Sequence, residues 1–183
     1  FRKHLPKIFS SKSKLFFEDS TLKMTHIYLK QKINNIILFN YCPELNHFLL
    51  WFQQLLAESL GKRGKGLLPV ISTAPTDYHS LLQLYLDGPK DKLFYIFSLF
   101  SGTNQNILNK VVHAQKESFI KVLKKKNIPF REFKIKKLNE ETLGEMFSYF
   151  ILETAIIGNL LNINPFDQPA VEELKRLTKK FLA

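Results

Sequence analysis

The sequence is poor in cysteine and in long apolar runs, and each absence excludes a class of protein. Cys42 is the one cysteine among 183 residues, so an internal disulfide and a multi-cysteine metal centre are excluded. Chains without disulfides are typical of reducing compartments, and we expect the cytoplasm.

The apolar runs are too short or too interrupted to predict a transmembrane helix. Residues 93–100 fall short of a bilayer span, and residues 149–161 are broken by Glu153, Gly158 and Asn159. The first residues, FRKHLPKIF, have neither an extended apolar core nor a small-residue cleavage site, so they do not predict a signal peptide. We expect no membrane partner, and the start resembles the interior of a longer chain.

Familiar catalytic and nucleotide-binding motifs are absent too. The sequence has no P-loop, no dinucleotide glycine fingerprint and no G-x-S-x-G. No two histidines are spaced to reach one metal ion from a single helix turn, so we predict neither a metal nor a cofactor. The histidines are His4, His26, His47, His79 and His113.

The composition itself predicts one folded domain. Apolar residues make up 45% of the chain and aromatic residues 13%, which is the globular range. The net charge of +11 raises the possibility of a nucleic-acid binder. The lysines are scattered, however, and their clusters lack interleaved aromatic residues, which favours a solvated surface or an anionic small-molecule substrate. We expect no nucleic-acid partner.

Hydrophobic periodicity predicts alternating helices and strands. Apolar residues spaced three and four apart are typical of helices, and continuous apolar runs are typical of strands covered on both faces. The predicted strands are 36–39, 67–71, 93–99 and 129–135. The predicted helices are 20–32, 45–60, 79–86 (capped by Asp77), 104–126, 140–161 and 170–182.

This order predicts an α/β fold. The connections between strands are too long for hairpins, so we expect a three-layer sandwich with a mostly parallel sheet of four to five strands flanked by helices. Parallel sheets bind ligands outside the carboxyl ends of their strands. We therefore expect a site in loop 73–78.

An acid and an amide share the polar side of helix 45–60. Gln54 and Glu58 lie four residues apart and face away from the apolar stripe, so the carboxylate is available for proton transfer. The spacing alone also fits an ordinary exposed glutamate near a helix end.

Three further features have both a structural and a functional interpretation. His79 lies at a predicted helix start, where the positive end of the helix dipole favours a neutral ring that can donate and accept; it also fits a structural histidine. The turn 61–66, GKRGKG, suggests a phosphate cradle, but it follows a helix, and we interpret it as that helix's cap. Lys175 fits an exposed helical lysine.

Three separated segments together resemble one family. The strings QLLAESLGK (54–62), DYHSLLQLYLDGP (77–89) and NPFDQPAVEELK (164–175) closely resemble the phosphoglucose isomerases (glucose-6-phosphate isomerases), in the family's order and most like its bacterial branch. The resemblance implies a sugar-isomerase (SIS) fold and interconversion of glucose 6-phosphate and fructose 6-phosphate, in glycolysis and gluconeogenesis, through a cis-enediol.

The resemblance also implies a role for each matching residue. Glu58 would be the base that shuttles the proton between C1 and C2, and His79 would assist ring opening, reaching the site of a partner subunit in a homodimer. Lys175 would support ring opening and contact the substrate. Gln54 and Gln168 would hold hydroxyls or the phosphate of the sugar phosphate.

The family's phosphate-binding loop and active-site arginine have no match here; 10–13, SSKS, lacks the glycine and threonine. We therefore expect residues 1–33 to form a connecting helical segment and 34–183 the C-terminal sugar-isomerase domain of a longer enzyme, inactive or weak without its N-terminal domain. A non-catalytic sugar-phosphate-binding domain is the alternative.

Overall fold

The computed structural model describes residues 11–30, 32–99 and 106–182. A 3₁₀ turn over Pro43–Leu45 leads into the helix that begins at Asn46. The elements are α1 (Ser11–Lys30), β1 (Asn35–Asn40), α2 (Asn46–Leu60), β2 (Leu68–Thr73), α3 (Asp77–Ser80), α4 (Leu82–Asp87), β3 (Lys92–Leu99), α5 (Ile107–Lys125), β4 (Phe130–Ile135), α6 (Glu140–Leu160) and α7 (Pro169–Leu182).

The four described strands form one parallel sheet in the order β2-β1-β3-β4. Asn35 of β1 aligns with Leu68 of β2 on one side and with Lys92 of β3 on the other. The central strands β1 and β3 are buried over nearly their whole length, as their unbroken apolar sequences require. The predicted parallel α/β architecture is confirmed.

Helices α1, α2 and α6 cover one face of the sheet. Phe52 of α2 and Phe150 of α6 pack with ring centroids 4.0 Å apart, and Trp51 meets Phe147 edge-on at 4.3 Å. Each buried aromatic side chain of this kind stabilises the fold by about 1.5–3 kcal/mol. This aromatic contact fixes α2 against α6 and thereby positions the ends of both helices.

Helices α3, α4 and α5 cover the opposite face. Phe39 of β1 stacks on Phe119 of α5 at 4.7 Å, and Tyr85 of α4 meets Phe94 of β3 at 5.5 Å. The sheet is therefore sandwiched between two helical layers, as predicted. Among the residues that the structure describes, no helix is long and apolar enough to cross a membrane.

Two predicted helices differ from the structure. Helix α1 begins at Ser11 instead of residue 20, because Phe17 is buried against the ring of Tyr149 and tertiary packing extends the helix. The helix predicted over 79–86 is divided at Leu81 into α3 and α4. Asp77 does not cap it from outside; it is the first residue of α3.

A buried ion-pair network joins α1, β4 and α6. Arg131 donates to Glu153 at 3.1 Å, to the Ser20 hydroxyl at 2.7 Å and to the Tyr149 hydroxyl at 2.8 Å, and it also bonds the Tyr95 hydroxyl. The side chain of Glu153 is only 4% exposed. Its charge is tolerated there because Arg131 and the hydroxyls of Ser20 and Tyr149 satisfy it.

Asp77 fastens the loop after β2. Its carboxylate accepts hydrogen bonds from the Ser72 hydroxyl at 2.7 Å, the Thr73 amide at 2.7 Å and the Ser80 hydroxyl at 2.8 Å. Burial alone would raise the pKa of Asp77, but these hydrogen bonds lower it below its usual value. The ionised carboxylate therefore sets the path of the chain into α3.

Removing Arg131 should cost far more than removing a surface cation on the same strand. We expect Arg131→Ala to lower the free energy of unfolding by about 3–5 kcal/mol, because Glu153 keeps a buried charge without its partner. Lys134→Ala, which loses an ion pair whose lysine is 58% exposed, should cost less than about 1 kcal/mol. Urea denaturation measures both, and equal losses would contradict the assignment.

The Asp77 contacts predict a pH-dependent stability difference. Because its pKa is lower in the folded state, the carboxylate stabilises the fold above its unfolded pKa, and this is lost as the pH falls through the folded value. At pH 7, Asp77→Asn should be less stable by about 1 kcal/mol. The difference in unfolding free energy between wild type and Asp77→Asn should persist down to about pH 4 and shrink below that pH. An undiminished gap at about pH 3, measured by denaturation, would refute the role of the ionised form.

Candidate active site

The Glu58 carboxylate, in the last turn of α2, is held by two amides. Gln54, one turn earlier on the same helix, donates Nε2 to Oε1 at 3.0 Å. Gln168, 110 residues further along the chain, donates Nε2 to Oε2 at 2.5 Å. Each of the two carboxylate oxygens thus accepts from a different amide, so two separate segments of the chain set the orientation of the carboxylate.

A cleft of about 410 Å³ opens beside this carboxylate. Its walls come from the end of α2, the turn that follows, and residues 163–171. A carboxylate of fixed orientation beside a cleft is suited to abstracting a proton from a bound molecule. Polar and charged groups lining the cleft include Glu58, Lys62, Arg63, Asn164, Asp167 and Gln168.

The cleft lies at the amino edge of the sheet. Helix α2 connects the carboxyl end of β1 to the amino end of β2 and so runs antiparallel to the strands. Gln53 already reaches the carbonyl of Pro69, at the start of β2, at 2.8 Å. Glu58 lies five residues further on, about 7.5 Å along the helix axis. The expected loop, 73–78, lies at the other edge.

The segment that carries Gln168 is anchored in the core. Leu161 and Ile163 are almost fully buried, and the Ile163 amide donates to the Gly158 carbonyl at 2.9 Å. Gly158 favours this close approach, because an added β-carbon would lie only 3.1 Å from the side chain of Pro165. These contacts bring the segment back across the end of α2.

The basic turn 61–66 binds this returning segment. Lys62 Nζ donates to the carbonyl of Asn164 at 2.6 Å, Arg63 to that of Asn162 at 3.3 Å, and Lys65 to that of Leu161 at 2.5 Å. The cations therefore bind carbonyls at and just beyond the end of α6, and not those of α2, the helix that precedes them.

Two glycines of the turn have positive φ. Gly64 and Gly66 have φ of 71° and 118°, in the region that favours glycine. At Gly66 an added β-carbon would also lie 2.8 Å from the Gly61 backbone. The tight path of the turn is thus fixed by sequence, whereas the targets of its cations depend on tertiary structure.

Sequence reasoning missed Asp167 as a functional neighbour of the site. Its carboxylate lies 3.0 Å from Lys62 Nζ, and hydrogen bonding to Lys62 lowers the pKa of Asp167. The available signal was the pairing of an acid directly before Gln168 with a cation four residues after Glu58.

Lys175 lies on α7, apart from the amide-bound carboxylate. Its ammonium pairs with Glu172 at 2.7 Å, and the lysine side chain is 59% exposed. Within residues 11–30, 32–99 and 106–182, no hydrogen bond or ion pair connects it to Glu58, Gln54 or Gln168. Helix α7 starts directly after Gln168, so the position of Lys175 depends on the same anchor.

His79 lies in α3, at the carboxyl edge of the sheet, with an exposed side chain. The neighbouring Tyr78 donates to the Gln115 carbonyl at 3.1 Å and pairs with the Tyr41 hydroxyl. Among the described residues the imidazole makes no hydrogen bond, so a fixed loop presents it to solvent. The residues described here also include no group of three or more side chains that could hold a metal ion.

Glu58 and His79 are far apart within one chain. Strand β2 alone separates the two edges by about 17–20 Å at about 3.3 Å per residue, and Glu58 lies beyond the amino end of that strand. One chain therefore brings together Glu58, Gln54 and Gln168, and it leaves His79 on the opposite side.

Several curated proteins that are similar in sequence to this chain are glucose-6-phosphate isomerases. The chain is 38% identical to a probable glucose-6-phosphate isomerase of Methanococcus maripaludis over 80% of this chain and 36% of that protein. It is 30% identical to the Methanocaldococcus jannaschii glucose-6-phosphate isomerase (83% and 41%) and 32% identical to that of Campylobacter jejuni (90% and 46%). The chain thus spans less than half the length of these relatives. No family model matches it.

Solved structures agree on the fold. A hypothetical protein from Thermus thermophilus superposes with a TM-score of 0.85 at 25% identity, over all of this chain and 48% of that one. A glucose-6-phosphate isomerase from Chlamydia trachomatis superposes with a TM-score of 0.70 at 18% identity, over 82% and 35%. Over most of its own length, the chain is therefore a homologue of part of the glucose-6-phosphate isomerases.

Proposed function

We propose that the chain supplies the catalytic base of an aldose–ketose isomerase that interconverts glucose 6-phosphate and fructose 6-phosphate. The observation that supports this most directly is the Glu58 carboxylate, held from both sides by Gln54 and Gln168 beside a cleft. A non-catalytic sugar-phosphate-binding domain has no need for a carboxylate whose orientation two segments fix.

The proposed chemistry is a proton transfer between neighbouring carbons. Glu58 takes the proton from C2 of the open-chain aldose, the C1 carbonyl oxygen gains a proton, and a cis-enediol forms. Glu58 then returns a proton to C1 while the C2 hydroxyl loses its proton, which gives the ketose. A carbon-bound proton is weakly acidic, so most of the rate must come from the placement of the base.

The two amides suit this role. Each carboxylate oxygen has more than one lone pair, so an oxygen that accepts from an amide can still accept a proton. The amides restrict the rotation of the carboxylate and reduce what must be ordered when substrate arrives. We propose that Gln54 and Gln168 also meet the sugar's hydroxyl or phosphate oxygens in the cleft.

In this proposal His79 of one copy assists ring opening of the substrate bound to a second copy. Its exposed position at the carboxyl edge, remote from Glu58 of the same chain, fits a residue that enters a neighbouring subunit's cleft. The arrangement requires a homodimer in which each site uses Glu58 of one copy and His79 of the other. Lys175, on α7, is the third proposed catalytic residue, and it would support ring opening and contact the substrate.

We infer that phosphate binding depends on a further domain of the family-length protein. The relatives are more than twice as long as their match to this chain, and no segment of the sequence resembles the family's glycine- and threonine-containing phosphate loop. The 183 residues alone should therefore bind sugar phosphate weakly.

Replacing the base tests the proposal. In the full-length protein, Glu58→Gln keeps the size of the side chain, replaces one acceptor oxygen by an NH2 donor and cannot take a proton, so kcat for glucose 6-phosphate should fall by about 10³-fold. Glu173→Gln, at an exposed position on α7, is the matched control and should retain wild-type kcat. A near-normal rate for Glu58→Gln, in a protein that melts like wild type, would reject Glu58 as the base.

A further inference from the structure

We propose that Lys62 and Asp167 are positioning residues that hold Gln168 at the Glu58 carboxylate. This proposal rests on the proposed isomerase function, and it assigns to the turn 61–66 a role beyond ending α2. The structure gives three arguments for it: the contacts of Lys62, the short chain distances to the site, and the charge at the end of α6.

The Lys62 ammonium fixes both ends of the turn before Gln168. It donates to the Asn164 carbonyl at 2.6 Å and pairs with Asp167 at 3.0 Å, and its side chain is only 10% exposed. Asp167 is the residue immediately before Gln168. Because one nitrogen holds residues 164 and 167 together, the amide of the next residue has little freedom to move away from α2.

The chain distances to the carboxylate are short on both sides. Lys62 lies four residues after Glu58, just past the end of α2, and Asp167 lies one residue before Gln168. Two contacts therefore join the same two short segments, 58–62 and 167–168. One is the hydrogen bond between Gln168 and Glu58, and the other is the ion pair between Lys62 and Asp167. A displacement of either residue of the pair is transmitted directly to the amide and the base.

The charge distribution explains why a cation is needed here. Helix α6 ends at Leu160, and the chain that follows it presents backbone carbonyl oxygens that must accept hydrogen bonds from elsewhere. Arg63 and Lys65 meet two of them, whereas Lys62 alone also engages a carboxylate. Asp167 itself is about half exposed, so the ion pair stabilises the fold little. Its effect should therefore appear in the geometry of the site.

A direct role of Lys62 in binding phosphate does not fit its contacts. An ammonium has three donor hydrogens, and two groups of the protein already occupy donors of this nearly buried lysine. One donor hydrogen is left, but with only 10% of the side chain exposed the ammonium offers little surface to a substrate anion. The contacts therefore favour positioning over substrate binding.

Kinetics of the full-length protein test this role. Lys62→Met removes the charge at similar length, so kcat should fall about 10–100-fold with KM changed less than about threefold, since a displacement of about 1 Å can cost that much. Lys62→Arg restores a donor and should recover most of the rate. Asp167→Asn, a surface change that leaves the core intact, should reproduce part of the loss. The control is Lys121→Met, at an exposed lysine of α5.

Amide hydrogen exchange provides a readout independent of activity. Peptides covering 161–168 should exchange at least about tenfold faster in Lys62→Met than in wild type. The proposal is overturned if exchange is unchanged while KM rises, since Lys62 would then contact substrate. It is also overturned if exchange rises while kcat stays at wild type.

These outcomes separate this proposal from the proposed function. If Glu58→Gln remains active, the base assignment has failed, whatever Lys62→Met does. If Glu58→Gln is inactive and both Lys62→Met and Asp167→Asn keep wild-type kcat, the base stands and the positioning role fails.

Discussion

The parallel pairing of the four strands is the constraint on which the site depends. Because every strand points the same way, each connecting helix must return against that direction. The ends of α2 and α6 therefore meet at the amino edge of the sheet, which is how Glu58 and Gln168 come into contact across 110 residues of sequence. The same rule sends the loop after β2, with His79, to the opposite edge. Aromatic packing of α2 on α6 then fixes the spacing at the amino edge.

Local patterns predicted most of the fold because the forces behind them are local. The spacing of Phe48, Phe52 and Leu56 requires a helix with one buried face, and it also places Gln54 and Glu58 together on the polar face. The unbroken apolar sequences of β1 and β3 predicted strands buried on both sides.

The missed features depend on partners distant in sequence. Nothing near Lys62 shows that it binds the carbonyl of Asn164, and nothing near residues 11–19 shows that Phe17 will pack on Tyr149. The edge of the sheet at which a helical residue lies also follows from topology. The expected site in loop 73–78 therefore included the region of His79, at the carboxyl edge, but not Glu58, at the amino edge. Tertiary contacts, unlike periodicity, leave no pattern in a short window of sequence.

We propose that Glu58 of one copy works with His79 of another, and mixed dimers provide the test. Full-length Glu58→Gln and His79→Ala would be dissociated, mixed in equal amounts and allowed to reassociate. If sites are shared, each hybrid dimer has one intact site, and the mixture should regain about a quarter of wild-type activity. A mixture no more active than the mean of its two parents, with hybrids shown to be present, would contradict the account.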